Sequence, residues 1–554
     1  MNRIMKVIMK GAVLTSLVIG LPSCATGKSI MSSETIVQTK VGSVGGQQEN
    51  TLRVFKGIPY AEAPIGELRW KPPVAKALWN GVMQANEFGA SCPQPGSPVP
   101  NIYSENIAPF SEDCLSLNIW MPENAKNAPV FVWIHGGALR NGSSKGSLYD
   151  GSKMAERGNI VVSINYRLGV LGYMAHPELS AESEHSVSGN YGTLDQIEAL
   201  RWISKNIEAF GGDAGNVTIA GESAGALSVM YLMSSPQAHG LFSKAIAQSA
   251  YMVSSPELKR KALGQFSGEE WGGYLGKKLQ AETLSALREM NAQDLVKGAA
   301  AAGFMPLGIV DGHVLPDQMV NIFDRGEQAQ VPILTGFNSG EIRSLRILAP
   351  KRPAKSSTYE AEIRTRYLDL ADEFLRLYPS NNMQESIWAT TRDGLYSWTS
   401  ERLVRNQTTL GHNSFLYLFD HGYPNADKAD LHAFHGSELP YMFGTLSKTP
   451  KLWPKIPLNT AEADLSNAML DYWSNFASTG VPTTANGPIW PAFGSEKAYM
   501  VFGDKPEAAT KLMPGMFELH EEAVCRRLTS GEHPWNWNVG LASPILSREN
   551  TNCP

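Results

Sequence analysis

The sequence predicts an α/β fold in which a mostly parallel central sheet carries helices on both faces. Several short apolar runs are continuous rather than alternating, which is typical of strands that are buried on both faces. Longer stretches with helical periodicity separate these runs, as expected when helices connect parallel strands. The apolar runs are residues 130–134, 160–164, 217–220, 245–247, 331–334 and 415–419, and the helical patterns include 194–207 and 461–477.

The composition of the 554-residue chain favours one large globular domain. The chain is 43% hydrophobic and 18% charged, and its formal charge of −5 provides no basic surface of the kind that attracts nucleic acid. No repeat or low-complexity linker divides it, so we predict a single domain over residues 35–554. The segments 255–330 and 343–410 are more charged, and we expect them to cap the sheet and line a pocket.

The N-terminal residues have the order of an export signal. Basic residues precede an apolar run at 11–21 that is too short to span a membrane, and small residues follow it. We predict a signal peptide over residues 1–24 and a tether over 25–34. The expected location is the bacterial periplasm, the cell envelope or the extracellular space.

The end of this signal has a second feature. Residues 21–24 resemble a bacterial lipobox, which would place a lipid on Cys24 and make that lipid the protein's contact with a membrane. Simple cleavage after Ala25 is the alternative.

Four of the five cysteines lie in the body of the chain. In an oxidising compartment an even set indicates two disulfides, and proximity favours Cys92–Cys114 and Cys525–Cys553 among three possible pairings. No C-x-x-C motif or closely spaced His–Cys group is present, so we predict no metal site.

A nucleophile motif follows one of the apolar runs. Gly221-Glu222-Ser223-Ala224-Gly225 matches G-x-S-x-G, with a strand pattern before it and a small-residue helix pattern after it. A serine on such a turn is exposed at the start of a helix, where the helix dipole favours negative charge. A glycine-rich turn without chemistry is the alternative.

A glycine loop follows the apolar run at 130–134. His135-Gly136-Gly137-Ala138 can donate backbone N–H groups to an oxyanion, and we predict Gly137, Ala138 and Ala224 as the three donors. An ordinary β-turn is the alternative. We expect His135 to be a structural hydrogen-bonding residue rather than a base.

With these two motifs the chain resembles the type-B carboxylesterases, the cholinesterase-like branch of the α/β-hydrolases. The resemblance runs from about Thr35 to Phe502. Further matching segments are residues 55–61 (FKGIPYA), 68–70 (LRW), 111–118 (SEDCLSLN), 165–167 (NYR), 189–192 (GNYG) and 210–213 (FGGD).

The resemblance implies an α/β-hydrolase fold and completes a catalytic triad. From the residues alone, His432 and His435 both follow the run at 415–419 and could serve as base for Ser223; the family pattern at 435–441 favours His435. The family's Asn-x-x-Glu pattern falls on Glu341, and Asp311 is the rival acid. The family's first disulfide falls on Cys92 and Cys114.

The sequence departs from the family pattern at three places. Ala138 stands where most relatives have a third glycine, which should alter the pocket but keep the N–H donor. Gly340 and Ile342 flank Glu341 in place of the usual acidic and glycine neighbours. The loop between Cys92 and Cys114 lacks the tryptophan that binds choline in cholinesterases, and Tyr103 would stack only weakly, so choline esters are not the expected substrates.

The sequence therefore predicts a serine hydrolase that cleaves small-molecule carboxylic esters through an acyl-enzyme. Ser223 is the predicted nucleophile, His435 the general base and Glu341 the acid that orients it. No cofactor is expected, and the sequence makes no prediction of oligomeric state. The alternatives are an amidase that uses the same triad and a non-catalytic binding or adhesion protein of cholinesterase-like fold.

Overall fold

A computed structural model of the chain describes residues 35–96, 99–548 and 553. The predicted signal peptide, the tether and the lipidation candidate Cys24 lie outside the described residues. Among the described residues, no helix is long and apolar enough to cross a membrane.

Strands of two sheets occur along almost the whole described chain. In chain order they are β1 (Ile36–Thr39), β2 (Gly42–Gly45), β3 (Gln47–Glu49), β4 (Leu52–Pro59), β5 (Val82–Gln84), β6 (Ser116–Pro122), β7 (Ala128–Ile134), β8 (Ile160–Ile164), β9 (Gly212–Glu222), β10 (Lys244–Gln248), β11 (Ile333–Asn338), β12 (Ser414–Phe419), β13 (Ala498–Phe502) and β14 (Pro506–Thr510).

The α-helices lie mostly between these strands. They are α1 (Ser152–Ala155), α2 (Gly169–Tyr173), α3 (Pro177–Glu182), α4 (Tyr191–Asn206), α5 (Ala224–Ser234), α6 (Gly268–Lys278), α7 (Leu284–Glu289), α8 (Ala292–Ala301), α9 (Met319–Asp324), α10 (Glu341–Ser344), α11 (Ser356–Tyr367), α12 (Ala371–Leu377), α13 (Met383–Arg392), α14 (Trp398–Thr409), α15 (Pro424–Lys428), α16 (Leu439–Met442), α17 (Thr460–Thr479) and α18 (Met516–Ser530).

The large sheet has eleven strands in the order β14-β13-β12-β11-β10-β9-β7-β8-β6-β4-β3. Its central strands, from β8 to β13, pair in parallel, and the pairs at both edges are antiparallel. A small separate sheet contains β1, β2 and β5. The predicted mostly parallel sheet of an α/β fold is confirmed.

The predicted apolar runs all fall on strands of the parallel part of the sheet. The run at 217–220 lies in the second half of the longer strand β9. The run at 331–334 begins before β11, since Pro332 has no N–H to donate to a neighbouring strand. The two predicted helical patterns correspond to α4 and α17. The side chain of Asn459 caps α17 by accepting from the Glu462 amide, and Gly480, with φ of +79°, ends it.

The core lies on both faces of the sheet. Successive side chains of β7 alternate between the faces: Val130, Val132 and Ile134 join the cluster that contains α4 and α5, whereas Phe131 and Trp133 join the cluster that contains α17. Every one of these side chains is buried. This two-sided burial explains why the strand is a continuous apolar run.

The segments predicted to cap the sheet are both helical. Residues 255–330 contain α6 to α9, and residues 343–410 contain α11 to α14. Their function as pocket walls stays a prediction.

Two disulfide bonds link the pairs of cysteines that proximity favours. Cys92 and Cys114 have Cα atoms 5.1 Å apart, and Cys525 and Cys553 have Cα atoms 5.7 Å apart. The first bond closes the loop that approaches the candidate site.

Candidate active site

Ser223 lies on a strained turn between the end of β9 and the start of α5. Its φ of +58° and ψ of −121° are uncommon for a residue other than glycine. The Ser223 amide donates to the carbonyl of Gln248 at 3.0 Å, and the Ser223 carbonyl accepts from the Leu227 amide at 2.9 Å. This is the strand, turn and helix arrangement that the motif predicts.

The two glycines of the motif allow α5 to approach the sheet closely. A Cβ added to Gly225 would lie 2.1 Å from the carbonyl oxygen of Ile134 on β7, and one added to Gly221 would lie 2.4 Å from the backbone of Gly225. No side chain fits at either position. The turn that carries Ser223 therefore depends on backbone contacts that only glycine permits.

The predicted oxyanion loop lies against this turn. A Cβ added to Gly136 would lie 3.3 Å from the Cβ of Ser223. Ala138 has a φ of +58°, a left-handed conformation that glycine adopts more readily, which fits the glycine of the family pattern at this position. Among the described residues, no acceptor binds the amides of Gly137, Ala138 or Ala224, so these amides are available to a substrate oxygen.

Glu341 is fully buried and holds the imidazole of His435. The Nδ1 of His435 lies 2.5 Å from Oε2 of Glu341. The other carboxylate oxygen accepts from the Ser249 hydroxyl at 2.6 Å and from the Asn338 amide at 2.9 Å. Both oxygens of the buried Glu341 carboxylate therefore have hydrogen-bond partners.

The other imidazole nitrogen of His435 faces the turn that carries the nucleophile. Its Nε2 lies 3.2 Å from Oε1 of Glu222, the residue directly before Ser223. Glu222 ends β9, Glu341 follows β11, and His435 follows β12, so parallel strands bring all three to one edge of the sheet. The structure thus brings Glu341 and His435 into contact and places His435 against Glu222, the neighbour of Ser223 in the sequence.

Two buried carboxylates beside His435 were missed by the sequence analysis. Glu222 occupies the first variable position of the G-x-S-x-G motif, directly before Ser223. Glu438 lies one turn after His435. Glu438 accepts hydrogen bonds from the side chains of Gln248 at 2.9 Å and Asn338 at 2.6 Å. In the sequence, Glu222 and Glu438 are recognisable only as acidic residues within segments whose other residues are mostly apolar or small.

These carboxylates control the proton affinity of the site. Burial raises the pKa of Glu222 and of Glu438, and repulsion between the carboxylates, including Glu341, adds to both shifts. Burial alone would lower the pKa of His435, but the negative charges of Glu222, Glu341 and Glu438 outweigh it and raise that pKa to about 9.

His135 has the structural position expected of it. It is buried, its Nδ1 lies 2.9 Å from the Gly136 carbonyl, and its ring stacks on Tyr166 with the ring centres 4.6 Å apart. Burial lowers the pKa of His135 to about 4, so the ring stays neutral at physiological pH.

The rival base and the rival acid have other partners. His432 contacts Asp427 at 2.9 Å and Asp420 at 3.2 Å rather than Glu341. The carboxylate of Asp311 accepts from the backbone amides of residues 313–315, which is a local structural use of the charge.

Tyr103 connects the disulfide loop to the site. Its hydroxyl donates to the His435 carbonyl at 2.9 Å and lies 2.7 Å from the hydroxyl of Ser344, and its ring packs edge-on against Trp453. The sequence analysis predicted only that this ring would stack weakly on a choline group. The structure instead makes Tyr103 a positioning residue for the backbone of His435.

No metal-binding group is present in the described part of the chain, where no cluster of three or more His, Cys, Asp or Glu could hold an ion. The chemistry that the site can perform is nucleophilic attack by a serine with a neighbouring imidazole and backbone N–H donors.

Comparison with known proteins identifies the family. The sequence profile of the carboxylesterase family matches residues 33–516, most of the chain. The chain belongs to the carboxylesterase family. The resemblance found in the sequence and the α/β-hydrolase fold are thereby confirmed.

Several esterases are similar to this family member. A fumonisin B1 esterase of Sphingopyxis macrogoltabida is 34% identical over 490 residues, which cover 84% of the chain and 86% of the relative. A para-nitrobenzyl esterase of Bacillus subtilis (strain 168) is 34% identical over 470 residues, which cover 83% of the chain and 93% of the relative. A solved structure of a PNB esterase has a TM-score of 0.76 at 31% identity and covers 88% of the chain and 99% of that structure. The family and these relatives support carboxylic-ester hydrolysis.

The contact made by Tyr103 leads to a first prediction. Tyr103→Phe should lower kcat for ester hydrolysis by about fivefold with KM nearly unchanged, because the loss of one hydrogen bond loosens the backbone of the predicted base, His435. Steady-state kinetics with a p-nitrophenyl ester measure this, and a thermal unfolding curve checks that the fold is intact. Ser344→Ala is the matched control, since it removes the other contact of the hydroxyl. An unchanged kcat in Tyr103→Phe would contradict the positioning function.

The carboxylates around His435 lead to a second prediction. Glu222→Gln removes a negative charge 3.2 Å from Nε2 and should lower the pKa of His435. Because a base must be unprotonated, the acidic limb of the kcat/KM profile should move to lower pH, by about one pH unit. Glu257→Gln, which alters a carboxylate paired with Arg260 on the surface, is the control and should leave the profile in place. A limb that stays in place, or moves to higher pH, in Glu222→Gln would contradict this electrostatic coupling.

Proposed function

We propose that this protein is a serine esterase that cleaves small-molecule carboxylic esters through an acyl-enzyme. Ser223 is the nucleophile, His435 the general base and acid, and Glu341 the residue that orients His435. One observation carries the proposal: buried Glu341 binds Nδ1 of His435 while Nε2 faces the turn that presents Ser223. An imidazole oriented by a buried acid beside the serine turn supports general-base activation of Ser223.

In the first half of the proposed reaction the alcohol leaves. The Ser223 hydroxyl attacks the ester carbonyl carbon, and its proton passes to Nε2 of His435. The carbonyl oxygen becomes negative and accepts hydrogen bonds from the amides of Gly137, Ala138 and Ala224, each worth about 3–4 kcal/mol in comparable sites. The C–O bond to the alcohol then breaks as the imidazolium returns the proton to the alcohol oxygen, which leaves the acyl group on Ser223.

In the second half water releases the acid. His435 takes a proton from a water molecule as its oxygen attacks the acyl carbon, and the same amides stabilise the second oxyanion. The bond to Ser223 breaks, and the proton returns to the Ser223 oxygen. The carboxylic acid leaves, and the enzyme regains its initial state without any oxidant, reductant or cofactor.

The burial of Glu341 favours catalysis over a binding function. An ionised carboxylate with no exposed surface costs several kcal/mol unless its partners compensate it, and here one partner is the imidazole beside the nucleophile. A protein that only binds would gain nothing from this costly arrangement. An amide substrate would use the same steps with a poorer leaving group.

The nucleophile assignment has a direct test. Ser223→Ala should lower hydrolysis of a p-nitrophenyl ester by at least about a thousandfold, and it should abolish labelling by a fluorophosphonate probe. Ser357→Ala, at an exposed position of α11, is the control and should leave both activities unchanged. Hydrolysis at the parent rate by Ser223→Ala would refute the proposal.

We also propose that the protein is exported and carries a lipid on Cys24. The signal pattern of residues 1–24 supports export, and the two disulfide bonds fit an oxidising compartment. The residues at 21–24 support lipidation at the cleavage site.

Mass spectrometry of the mature N-terminus tests this assignment. We expect a lipid-modified Cys24 as the first residue, and an unmodified, unprocessed N-terminus in Cys24→Ser. A mature chain that starts at Thr26 without lipid would refute lipidation and leave export intact. A mature chain that keeps residues 1–24 would refute both.

A further inference from the structure

Among the residues that the structure describes, none provides a hydrogen-bond or ion-pair partner for the side chain of Arg140, which lies beside the predicted oxyanion loop. Its side chain is partly buried, and its Nε is shielded from solvent without any hydrogen-bond acceptor. Among the arginines that the structure describes, the others without an ion pair or hydrogen bond are Arg352 and Arg548, and both are exposed. A guanidinium that is partly removed from water usually has a carboxylate or carbonyl partner.

The other buried arginines of the described chain show what such a partner looks like. Arg167 binds both carboxylate oxygens of Asp195, and Arg69 binds both of Glu112. Arg140 has no comparable partner in these residues, so the fold does not use its charge. A cation that is partly desolvated and unused is suited to an acceptor from outside the chain.

The backbone places Arg140 within one turn of the predicted oxyanion donors. The carbonyl of Gly137 accepts from the amide of Arg140 at 3.1 Å and from that of Asn141 at 2.9 Å. Gly136, at the start of the same turn, lies against Ser223. The backbone of Arg140 therefore belongs to the same loop as the glycine that contacts the turn of Ser223.

The negative charge of the site makes the Arg140 cation important for the binding of any anionic substrate. Glu222, Glu341 and Glu438 are all buried around His435, and the field of these carboxylates opposes the approach of a second negative charge. An ester that carries a carboxylate could bind only with a compensating cation. The planar guanidinium of Arg140 matches a carboxylate in shape as well as in charge.

We propose that Arg140 binds a free carboxylate of the substrate, so that the preferred esters of this enzyme are anionic. The ligand class is a carboxylic ester whose acyl part or alcohol part carries a second, ionised carboxyl group. This inference rests on the proposed ester hydrolysis at Ser223 and adds the substrate class. Arg140 is a specificity residue and takes no part in bond breaking.

The experiment compares anionic esters with neutral esters of similar size. Naphthyl hydrogen succinate against naphthyl butyrate tests a carboxylate on the acyl side, and para-acetoxybenzoate against its methyl ester tests one on the alcohol side. The full-length protein and Arg140→Met, Arg140→Lys and Arg352→Met are assayed for kcat/KM on each pair. Arg352→Met is the matched control, because it removes an unpaired cation at an exposed position.

We expect Arg140→Met to lower kcat/KM for at least one anionic ester by about 10–100-fold. The kcat/KM for the neutral esters should change by less than about threefold. Arg140→Lys should retain part of the preference, and added salt should weaken it in the parent protein. The neutral esters show that each variant is folded.

Two outcomes would count against the proposal in different ways. If the ratio of anionic to neutral kcat/KM is the same in Arg140→Met as in the parent on both pairs, the substrate inference fails while the esterase proposal stands. If the parent hydrolyses none of the four esters, the proposed function itself fails.

Discussion

The buried charge of Glu341 is the constraint on which the arrangement of the site depends. A carboxylate in the interior costs several kcal/mol unless hydrogen bonds and an opposite charge compensate it. Compensation comes from Ser249 after β10, from Asn338 at the end of β11 and from His435 after β12. Because these groups follow adjacent parallel strands, the charge is satisfied only when the strands are in register. The orientation of the imidazole is therefore a consequence of how the sheet is built.

The two further carboxylates affect the site in opposing ways. Glu222 and Glu438 favour the imidazolium form of His435, the form that this residue takes after it accepts the proton of Ser223 in the proposed reaction. The same charges make the neutral base harder to maintain at low pH. Burial partly relieves this conflict, since it raises the pKa of both carboxyl groups. The carboxylates thus stabilise the imidazolium that forms during the proposed reaction, but they also raise the pH at which the neutral base is present.

Local patterns in the sequence predicted the parts of the site that depend on local structure. The turn of Ser223 needs small neighbours because α5 lies on the backbone of β7, and glycines at 221 and 225 show this directly. The parallel strands were predictable because burial on both faces requires continuous apolar residues. The triad partners needed the family pattern, since the residues alone left two histidines and two acids open. The contact of Tyr103 with His435 and the missing partner of Arg140 depend on segments far apart in the chain, and no periodicity encodes them.

The groups proposed for chemistry and for selectivity lie in different parts of the fold. The groups proposed to break the ester bond lie at the ends of sheet strands, whereas Tyr103 and Arg140 lie on loops beside them. One turn nevertheless belongs to both, because it contains the proposed oxyanion donors Gly137 and Ala138 and the Gly137 carbonyl accepts a hydrogen bond from the backbone of Arg140. The main chain therefore fixes the separation between the predicted oxyanion donors and the backbone of Arg140, from which the guanidinium extends on a flexible side chain. In the proposed binding mode, the ester carbonyl and the carboxylate of a substrate would have to be separated by a distance within reach of this side chain, so the turn would limit the length of the substrate as well as its charge.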